Sequence, residues 1–347
     1  MREYGSEHHW QSRNPYETGS GGLELEGWTF YRSGRDAMKQ LAALHSHARV
    51  LLPALCCESM ILPFEQNGCT VEFYKLNADL TGNEEDVLRK LSRGCILLYM
   101  IYFDVRPFSR TFLEKLRSLG ALLLEDRTQD IIVPRRETFR PEATVASLRK
   151  WASMPEGGLL KTEAALPAAE TDGRFARLRL EAMEEKGEYL AKGIPEMKAY
   201  FLKRLHEADE LLDQSGKPVA LSPENLGYIV NLDFEKILKQ RRRNCALLRE
   251  VLKDCAEAGK LQFMGSAGDT AGLYLGVMLE NRDAVQKYMA ERSIYCPVIW
   301  PIPEQAKGIC ENCEHVAGHM LALPCDQRYG EEDMKHIAAV LRAALEV

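Results

Sequence analysis

The sequence lacks the long apolar segments that a membrane span requires. The longest apolar run, residues 95–103 (CILLYMIYF), is nine residues long, whereas a helical span needs about 20. Residues 1–10 (MREYGSEHHW) also lack the apolar core of a secretory signal. These absences predict a cytoplasmic protein that has no membrane partner.

An excess of basic charge is missing as well. The 347 residues include 45 lysines and arginines against 51 aspartates and glutamates, a net charge of -6 at neutral pH. Nucleic-acid binders need a basic surface, so no nucleic-acid partner is expected. The basic run 239–244 (KQRRRN) lies in a helical pattern with leucines, which predicts a solvated helix face.

The ten cysteines do not form the compact framework of a small secreted domain, and we expect free thiols. One cluster offers side chains that zinc prefers: Cys310, Cys313, His315 and His319. His315 follows Cys313 by only two positions, which is short for a tetrahedral site. No metal is therefore expected, and a zinc protein is the lowest-ranked alternative.

Short apolar segments alternate with helical segments from residue 31 onward. Strands that are apolar throughout, separated by helices of about ten residues, predict a mainly parallel sheet covered by helices on both faces. Two long helical segments follow, and a boundary is expected at residues 215–218 (SGKP). We predict an α/β fold with an N-terminal arm (1–30) on a partner or on the main domain, a large α/β domain (31–215) and a smaller α+β domain (216–347).

Two predicted strand ends and one predicted helix start in the large domain carry side chains that could bind a ligand or react with it. Asp126 follows one apolar strand, Lys150 follows another, and Ser33 with Gly34 stands where the first helix begins. Ligands of open parallel sheets bind at the carboxyl ends of the strands. We therefore expect these residues to lie around one site.

This set meets the requirements of pyridoxal 5'-phosphate. A lysine forms a Schiff base with the cofactor aldehyde, which is the role predicted for Lys150. A carboxylate keeps the ring nitrogen protonated, which is the role predicted for Asp126. The phosphate is expected where a helix begins, because backbone N–H groups and the helix dipole favour anions there. The residues predicted to hold it are Ser33, Gly34, Arg35 and Ser147.

Each feature alone also has an ordinary structural explanation. A lysine after a strand is often a solvated cation, and an aspartate there often caps the next turn. Ser33 with Asp36 resembles a capping box. Their joint occurrence in this order favours the cofactor interpretation.

The same segments resemble a known family. The spacing from Lys150 to residues 155–158 (PEGG), the upstream segment 123–129 (LLEDRTQ) and the early segment 33–38 (SGRDAM) look like the DegT/DnrJ/StrS family of fold-type I pyridoxal-phosphate aminotransferases. Further similarity runs through later segments: 181–190, 294–303 and 321–334. The resemblance therefore covers the chain from about residue 20 to its end.

The resemblance implies specific roles and a homodimer with its active site at the subunit interface. Asp126 would face the pyridine nitrogen, Gln129 would lie near the phenolic oxygen, and Lys150 would form the Schiff base. The chain also departs from the family pattern. Cys57 stands where an aromatic ring usually covers the cofactor, and Arg35 stands where Thr or Ser is usual. A counterpart of the G-x-N-x-R segment, by which one subunit reaches its neighbour's cofactor phosphate, is not evident.

The leading hypothesis is an aminotransferase that moves an amino group from an amino-acid donor to a keto sugar, including a nucleotide-linked one, or to another small ketone. The same cofactor supports elimination, dehydration or racemisation, since it supplies an electron sink without selecting the bond that breaks. A third alternative is a non-catalytic cofactor-binding or interaction protein on the same fold. The sequence does not separate these outcomes.

Overall fold

The computed structural model describes residues 2–10, 15–17, 23–134, 139–265 and 271–346. The strands within these ranges are β1 (Thr29–Tyr31), β2 (Arg49–Pro53), β3 (Thr70–Tyr74), β4 (Ile96–Met100), β5 (Leu122–Asp126), β6 (Ala143–Ser147), β7 (Gly158–Thr162), β8 (Glu170–Thr171), β9 (Val219–Ala220), β10 (Gln262–Phe263), β11 (Leu275–Met278) and β12 (Met320–Leu323).

The helices are α1 (Gly34–Leu44), α2 (Glu58–Glu65), α3 (Glu84–Lys90), α4 (Arg110–Ser118), α5 (Gly173–Lys192), α6 (Glu196–Asp213), α7 (Leu226–Val230), α8 (Phe234–Val251), α9 (Lys253–Glu257), α10 (Arg282–Ala290), α11 (Glu311–His319) and α12 (Glu331–Ala344). Short 3-10 turns occupy Leu148–Lys150, Pro223–Asn225 and Glu304–Ala306. No helix in the described part of the chain combines the length and apolar character that crossing a bilayer demands.

A nine-stranded sheet organises the N-terminal two thirds of the molecule, in the order β3-β2-β4-β5-β6-β7-β1-β9-β8. The strands from β3 to β6 in this order are parallel, and β7 and β1 each run antiparallel to their neighbours. The predicted α/β fold with a mainly parallel sheet is confirmed.

The central strands are apolar on both faces because helices cover both sides of the sheet. All five residues of β4 are buried, as are all five of β6. A strand with one solvated face would alternate instead between apolar and polar residues. The continuous apolar runs in the sequence therefore reflect a strand buried on both sides.

The two long helices α5 and α6 form a hairpin. Gly193 ends α5 in the left-handed conformation, with φ of 68°, which glycine adopts without steric cost. Phe201, Leu205 and Ala208 of α6 are buried, whereas Tyr200 is 66% exposed. One face of α6 thus packs into the core, and Tyr200 lies outside that face.

A three-stranded antiparallel sheet, in the order β10-β11-β12, lies in the C-terminal part. Its apolar side chains share a core with those of α8, α10 and α12. Strand β9 pairs with β1 of the nine-stranded sheet, so the nine-stranded sheet includes residues beyond 215. The domain limits proposed from the sequence stay a prediction.

The described residues at the N-terminus contact both parts of the chain. The Tyr4 N–H donates to the Ser293 carbonyl at 2.9 Å, and the Trp10 N–H donates to the Met183 carbonyl at 2.9 Å. Gly5 donates its N–H to the Tyr329 hydroxyl at 2.8 Å. Residues 2–10 therefore connect α5 with the C-terminal segments.

Candidate functional site

The predicted site residues lie at one edge of the large sheet because neighbouring parallel strands end there. Strand β5 ends at Asp126, and β6 ends at Ser147, followed by the 3-10 turn that contains Lys150. Gly158 pairs with Ser147 across the antiparallel ladder. A Cβ atom on Gly34 would lie 3.4 Å from the Ser147 Cβ, so the start of α1 closes the same edge.

A cavity of about 130 Å³ opens at this edge. Its charged lining residues are Glu7, Arg35, Arg149, Lys150, Arg179, Asp209, Arg241, Asp326 and Arg328. Six of these side chains are cationic and three are carboxylates. The cavity thus has an excess of positive charge, which favours an anionic ligand.

The Lys150 side chain is accessible from the cavity, while the surrounding protein desolvates its amine. This desolvation lowers the pKa of Lys150; the Glu7 carboxylate opposes the shift, and the Arg149 and Arg179 charges add to it. Loss of water and nearby cations both disfavour an ammonium ion. A lowered pKa favours the neutral amine, which is the nucleophilic form of a lysine.

Asp126 is 5% exposed. Its Oδ1 accepts a hydrogen bond from the Thr128 N–H at 2.7 Å. Burial raises the pKa of Asp126 to about 6, although that hydrogen bond lowers it. A cation brought beside this carboxyl would lower the pKa again and hold the group ionised.

Gln129 follows Asp126 by three residues in the chain, and its side chain is buried. One of its hydrogen-bond donors is unsatisfied. Its Oε1 accepts the Phe103 N–H at 3.3 Å, whereas its Nε2 has no hydrogen-bond partner among the described residues. A buried amide without a partner is costly. This unpaired N–H group fits a ligand that brings an oxygen atom, such as the phenolic oxygen of pyridoxal phosphate.

Cys57 lies among the predicted site residues. Burial raises the pKa of its thiol, and the charges of Asp126, Lys150 and Arg35 all act on it. Its sulfur lies 2.9 Å from the Ser59 hydroxyl oxygen. The thiol of Cys57 is therefore within electrostatic reach of the strand-end carboxylate, the lysine and the helix-start arginine.

The start of α1 serves as a helix cap. The Ser33 hydroxyl accepts the Asp36 N–H at 3.2 Å and donates to Asp36 Oδ2 at 2.6 Å. Arg32 neutralises Asp36 at 2.9 Å. The hydroxyl of Ser33 is therefore engaged within the helix turn, which is the structural explanation that the sequence also offered. Arg35, the second residue of α1, lines the cavity.

Arg241 shows where the sequence interpretation was wrong. The run 239–244 was expected on a solvated face, but Arg241 is 1% exposed. It lies on the face of α8 that carries the buried Ile237 and Leu248, and its guanidinium donates to four protein oxygens. These belong to Gln327, Gly272, Leu273 and Trp151.

These contacts fix the residue that follows the lysine. The Trp151 carbonyl accepts from Arg241 Nη2 at 3.1 Å and from Gln327 Nε2 at 2.7 Å. The indole Nε1 donates to the Thr128 carbonyl at 2.8 Å. Trp151 thus connects the Lys150 turn, the Asp126 loop and the C-terminal part of the chain.

Sequence reasoning missed Arg149, Arg179, Asp209 and Glu7 as residues of the cavity. Arg149 is adjacent to the predicted lysine, which was an available signal. The other three come from distant segments, and no local motif marks them.

The zinc alternative has no support in the geometry: within the described ranges, no three metal-ligating side chains are grouped to hold an ion. Cys310 instead donates its thiol to the Leu76 carbonyl at 3.4 Å.

The model of the DegT/DnrJ/EryC1/StrS aminotransferase family matches residues 230–342, about a third of the chain. No curated protein matches this chain in sequence. The matched segment contains Arg241 and Gln327, the two residues that hold the Trp151 carbonyl.

Solved structures match the fold along most of the chain. PseC of Helicobacter pylori, an aminotransferase involved in the biosynthesis of pseudoaminic acid, has a TM-score of 0.70 and 10% identity, covering 99% of this chain and 100% of its own. DesI, solved in the presence of its TDP-sugar product, has a TM-score of 0.67 and 19% identity, covering 94% and 82%. NtdA of Bacillus subtilis, with bound cofactor PMP, has a TM-score of 0.67 and 12% identity, covering 92% and 73%.

At such low identities these structures establish the fold, and the family model adds a sequence match in the C-terminal third. The resemblance predicted from the sequence is therefore confirmed: the chain has the fold of the DegT/DnrJ/EryC1/StrS aminotransferases and matches that family's model over residues 230–342.

Proposed function

We propose that this chain is a pyridoxal-phosphate-dependent aminotransferase in which Lys150 forms the Schiff base. The observation that carries the proposal is the arrangement at one sheet edge. Lys150 lines a cationic cavity, and Asp126 ends β5, the parallel neighbour of the strand β6 that leads into the Lys150 turn. Near Asp126 in the chain, the buried Gln129 Nε2 has no partner among the described residues. These features fit the amine, carboxylate and donor that this cofactor requires.

When bound, the cofactor supplies an aldehyde that reacts with amines and a ring that stabilises negative charge at the neighbouring carbon. Asp126 would face the ring nitrogen, and the positive ring would keep its carboxyl ionised. Gln129 would donate its unpaired N–H to the phenolic oxygen. Lys150, once free of its covalent bond, would move a proton as a neutral amine.

The phosphate would lie at the start of α1, held by the Gly34 backbone and by Arg35 and Ser147, with Ser33 organising the helix turn. A helix start favours an anion through its free N–H groups and dipole. Arg35 adds a guanidinium, although it is also paired with Asp213 at 2.7 Å. Binding of the cofactor would therefore place Arg35 between the phosphate and the Asp213 carboxylate.

The overall reaction exchanges an amine for a carbonyl oxygen. The amino-acid donor becomes a keto acid, and the ketone of the acceptor becomes an amine. We propose a keto sugar as acceptor, including one linked to a nucleotide. This is supported by the fold shared with PseC and with DesI, whose structure was solved with a TDP-sugar product. The homodimer and the cytoplasmic location remain predictions from the sequence.

A spectroscopic experiment tests the proposal. Purified protein reconstituted with pyridoxal phosphate should show a visible absorption band that bleaches with an amino donor and returns with a keto acid. Borohydride reduction followed by peptide mapping should label Lys150, and Lys150→Ala should give no labelled peptide. An adduct on a different lysine, or no adduct, would refute the assignment.

The same experiment separates the alternatives. Release of ammonia without lasting bleaching would indicate elimination or dehydration, because the amino group then leaves as ammonia and the cofactor returns to its aldehyde form. Loss of optical activity in the donor without bleaching would indicate racemisation. A stable colour that no amine changes would favour a cofactor-binding protein without turnover.

A further inference from the structure

Two arginines of the cavity have hydrogen-bonding capacity that the protein does not use. Arg149 and Arg179 both line it, and the Nε atoms of both are buried without a partner among the described residues. The Arg179 side chain is 6% exposed. Buried guanidinium N–H groups are costly when unsatisfied, so these atoms indicate a ligand that the chain alone does not provide.

The two guanidinium groups also lie close enough to repel each other. Burial lowers the pKa of Arg149 to about 10, and the nearby Arg179 charge contributes to the shift. The Phe175 ring lies under the Arg149 guanidinium, at 5.2 Å from its centroid. Like charges that repel each other in this way are stabilised by an anion near both.

The cavity lining contains the carboxylates of Asp209, Asp326 and Glu7, of which Glu7 comes from the N-terminal segment. The Glu7 carboxylate accepts from Arg179 Nη2 at 3.0 Å. The Glu7 side chain is half exposed, while its partner Arg179 is buried. The positive surroundings, chiefly Arg179, hold the pKa of Glu7 well below its usual range. Glu7 is thus ionised and can leave for solvent without disturbing a packed side chain.

Backbone contacts hold this segment over the cavity. Arg328 donates to the Ser6 carbonyl at 2.9 Å and to the Glu7 carbonyl at 3.2 Å, and Lys186 donates to the Glu7 carbonyl as well. Residues 5–8 form part of the cavity wall. The cavity measures about 130 Å³, below the roughly 300–1,000 Å³ of typical ligand pockets. The N-terminal segment therefore forms one wall of a small cavity.

We propose that Arg149 and Arg179 form a binding site for a phosphate monoester dianion, and that Glu7 occupies this site as an internal substitute until the phosphate displaces it. The proposal deepens the proposed function, because the natural ligand is then the phosphate of the cofactor or a phosphate of the substrate. A dianion matches the excess of cations better than the single charge of Glu7. Guanidinium groups also bind phosphate oxygens with favourable geometry.

The test measures the binding of inorganic phosphate to the full-length, cofactor-free protein by titration calorimetry. Arg149→Gln and Arg179→Gln should each weaken binding about ten-fold or more, since each removes a charge-assisted hydrogen bond. Arg204→Gln is the matched control, because Arg204 lies on the same helical hairpin, paired with Glu181 and Glu185 outside the cavity. It should bind phosphate as the wild type does.

Glu7→Gln gives the decisive result. It should strengthen phosphate binding about three- to ten-fold, because it removes the competing carboxylate and leaves a similar shape. Misfolding cannot produce such a gain. Wild-type affinity in both arginine variants, or no gain in Glu7→Gln, would overturn the proposal.

Repeating the titration on protein saturated with pyridoxal phosphate identifies the natural source. Retention of phosphate binding assigns the site to a phosphorylated substrate. Loss assigns it to the cofactor phosphate and contradicts the placement of that phosphate at the start of α1. The outcome is independent of the Schiff-base experiment. If borohydride leaves Lys150 unlabelled while phosphate binding follows Arg149 and Arg179, the proposed function fails and the anion site stands.

Discussion

Replacing Asp126 with asparagine should stabilise the cofactor-free protein at neutral pH. The carboxyl is buried, and its pKa is raised from 3.8 to about 6. A group whose pKa is higher in the folded state than in the unfolded state binds protons more tightly when folded. The carboxyl of Asp126 therefore destabilises the fold progressively as the pH rises from about 4 to about 6.

The magnitude follows from the shift. A difference of about two pKa units corresponds to about 3 kcal/mol of unfolding free energy, at about 1.4 kcal/mol per unit. The asparagine keeps an oxygen that can accept the Thr128 N–H, but its amide leaves a buried donor to satisfy, which costs about 1 kcal/mol. The net gain expected for Asp126→Asn above pH 7 is about 2 kcal/mol.

Urea unfolding of the cofactor-free protein measures this gain. The difference between Asp126→Asn and wild type should be largest near pH 7.5 and should disappear or reverse near pH 4. Glu188→Gln, in an exposed pair with Lys192, serves as a control that should stay within about 0.5 kcal/mol. Adding pyridoxal phosphate should favour the wild type again, because the ring nitrogen pairs with the carboxylate. Equal or lower stability of Asp126→Asn at pH 7.5 would refute the reasoning.

Two further substitutions test the packing around the site. Arg241→Met should lower the unfolding free energy by about 3 kcal/mol, because it leaves several buried oxygens without donors. Arg243→Met, at an exposed position, should change the unfolding free energy little. Thermal or urea unfolding compares the two variants. Gly158→Ala should cost about 3 kcal/mol or more, since its Cβ would lie 2.0 Å from the Ser33 carbonyl oxygen. Gly173→Ala, which meets nothing within 4 Å, should fold normally, and a comparable loss in both glycine variants would contradict the steric explanation.

Local patterns in the sequence were enough to predict the sheet. The run Ile96–Met100 is apolar throughout, and the structure buries every residue of it. The alternation of such runs with helices is a property of neighbouring residues, because backbone geometry repeats over a few positions. The placement of Asp126 and Lys150 at strand ends follows from the same local pattern together with the rule that parallel strands end at one edge.

Side chains from distant segments were not predictable in this way. Arg241 belongs to a basic run that resembles an exposed helix face, and its burial depends on carbonyl groups far away in the chain. Whether the Ser33 hydroxyl faces a ligand or the helix turn also depends on the local three-dimensional arrangement, and the structure shows the turn.

The sequence by itself determined the alternation of strands and helices and the chemistry available at the strand ends, since both depend on short-range geometry and on residue type. Only the tertiary structure decided that Glu7 meets Arg179, 172 residues away in the chain, and that six cations surround one cavity. Charges act over distance in space rather than along the chain. The electrostatics of the site therefore exist only once the fold has brought these residues together.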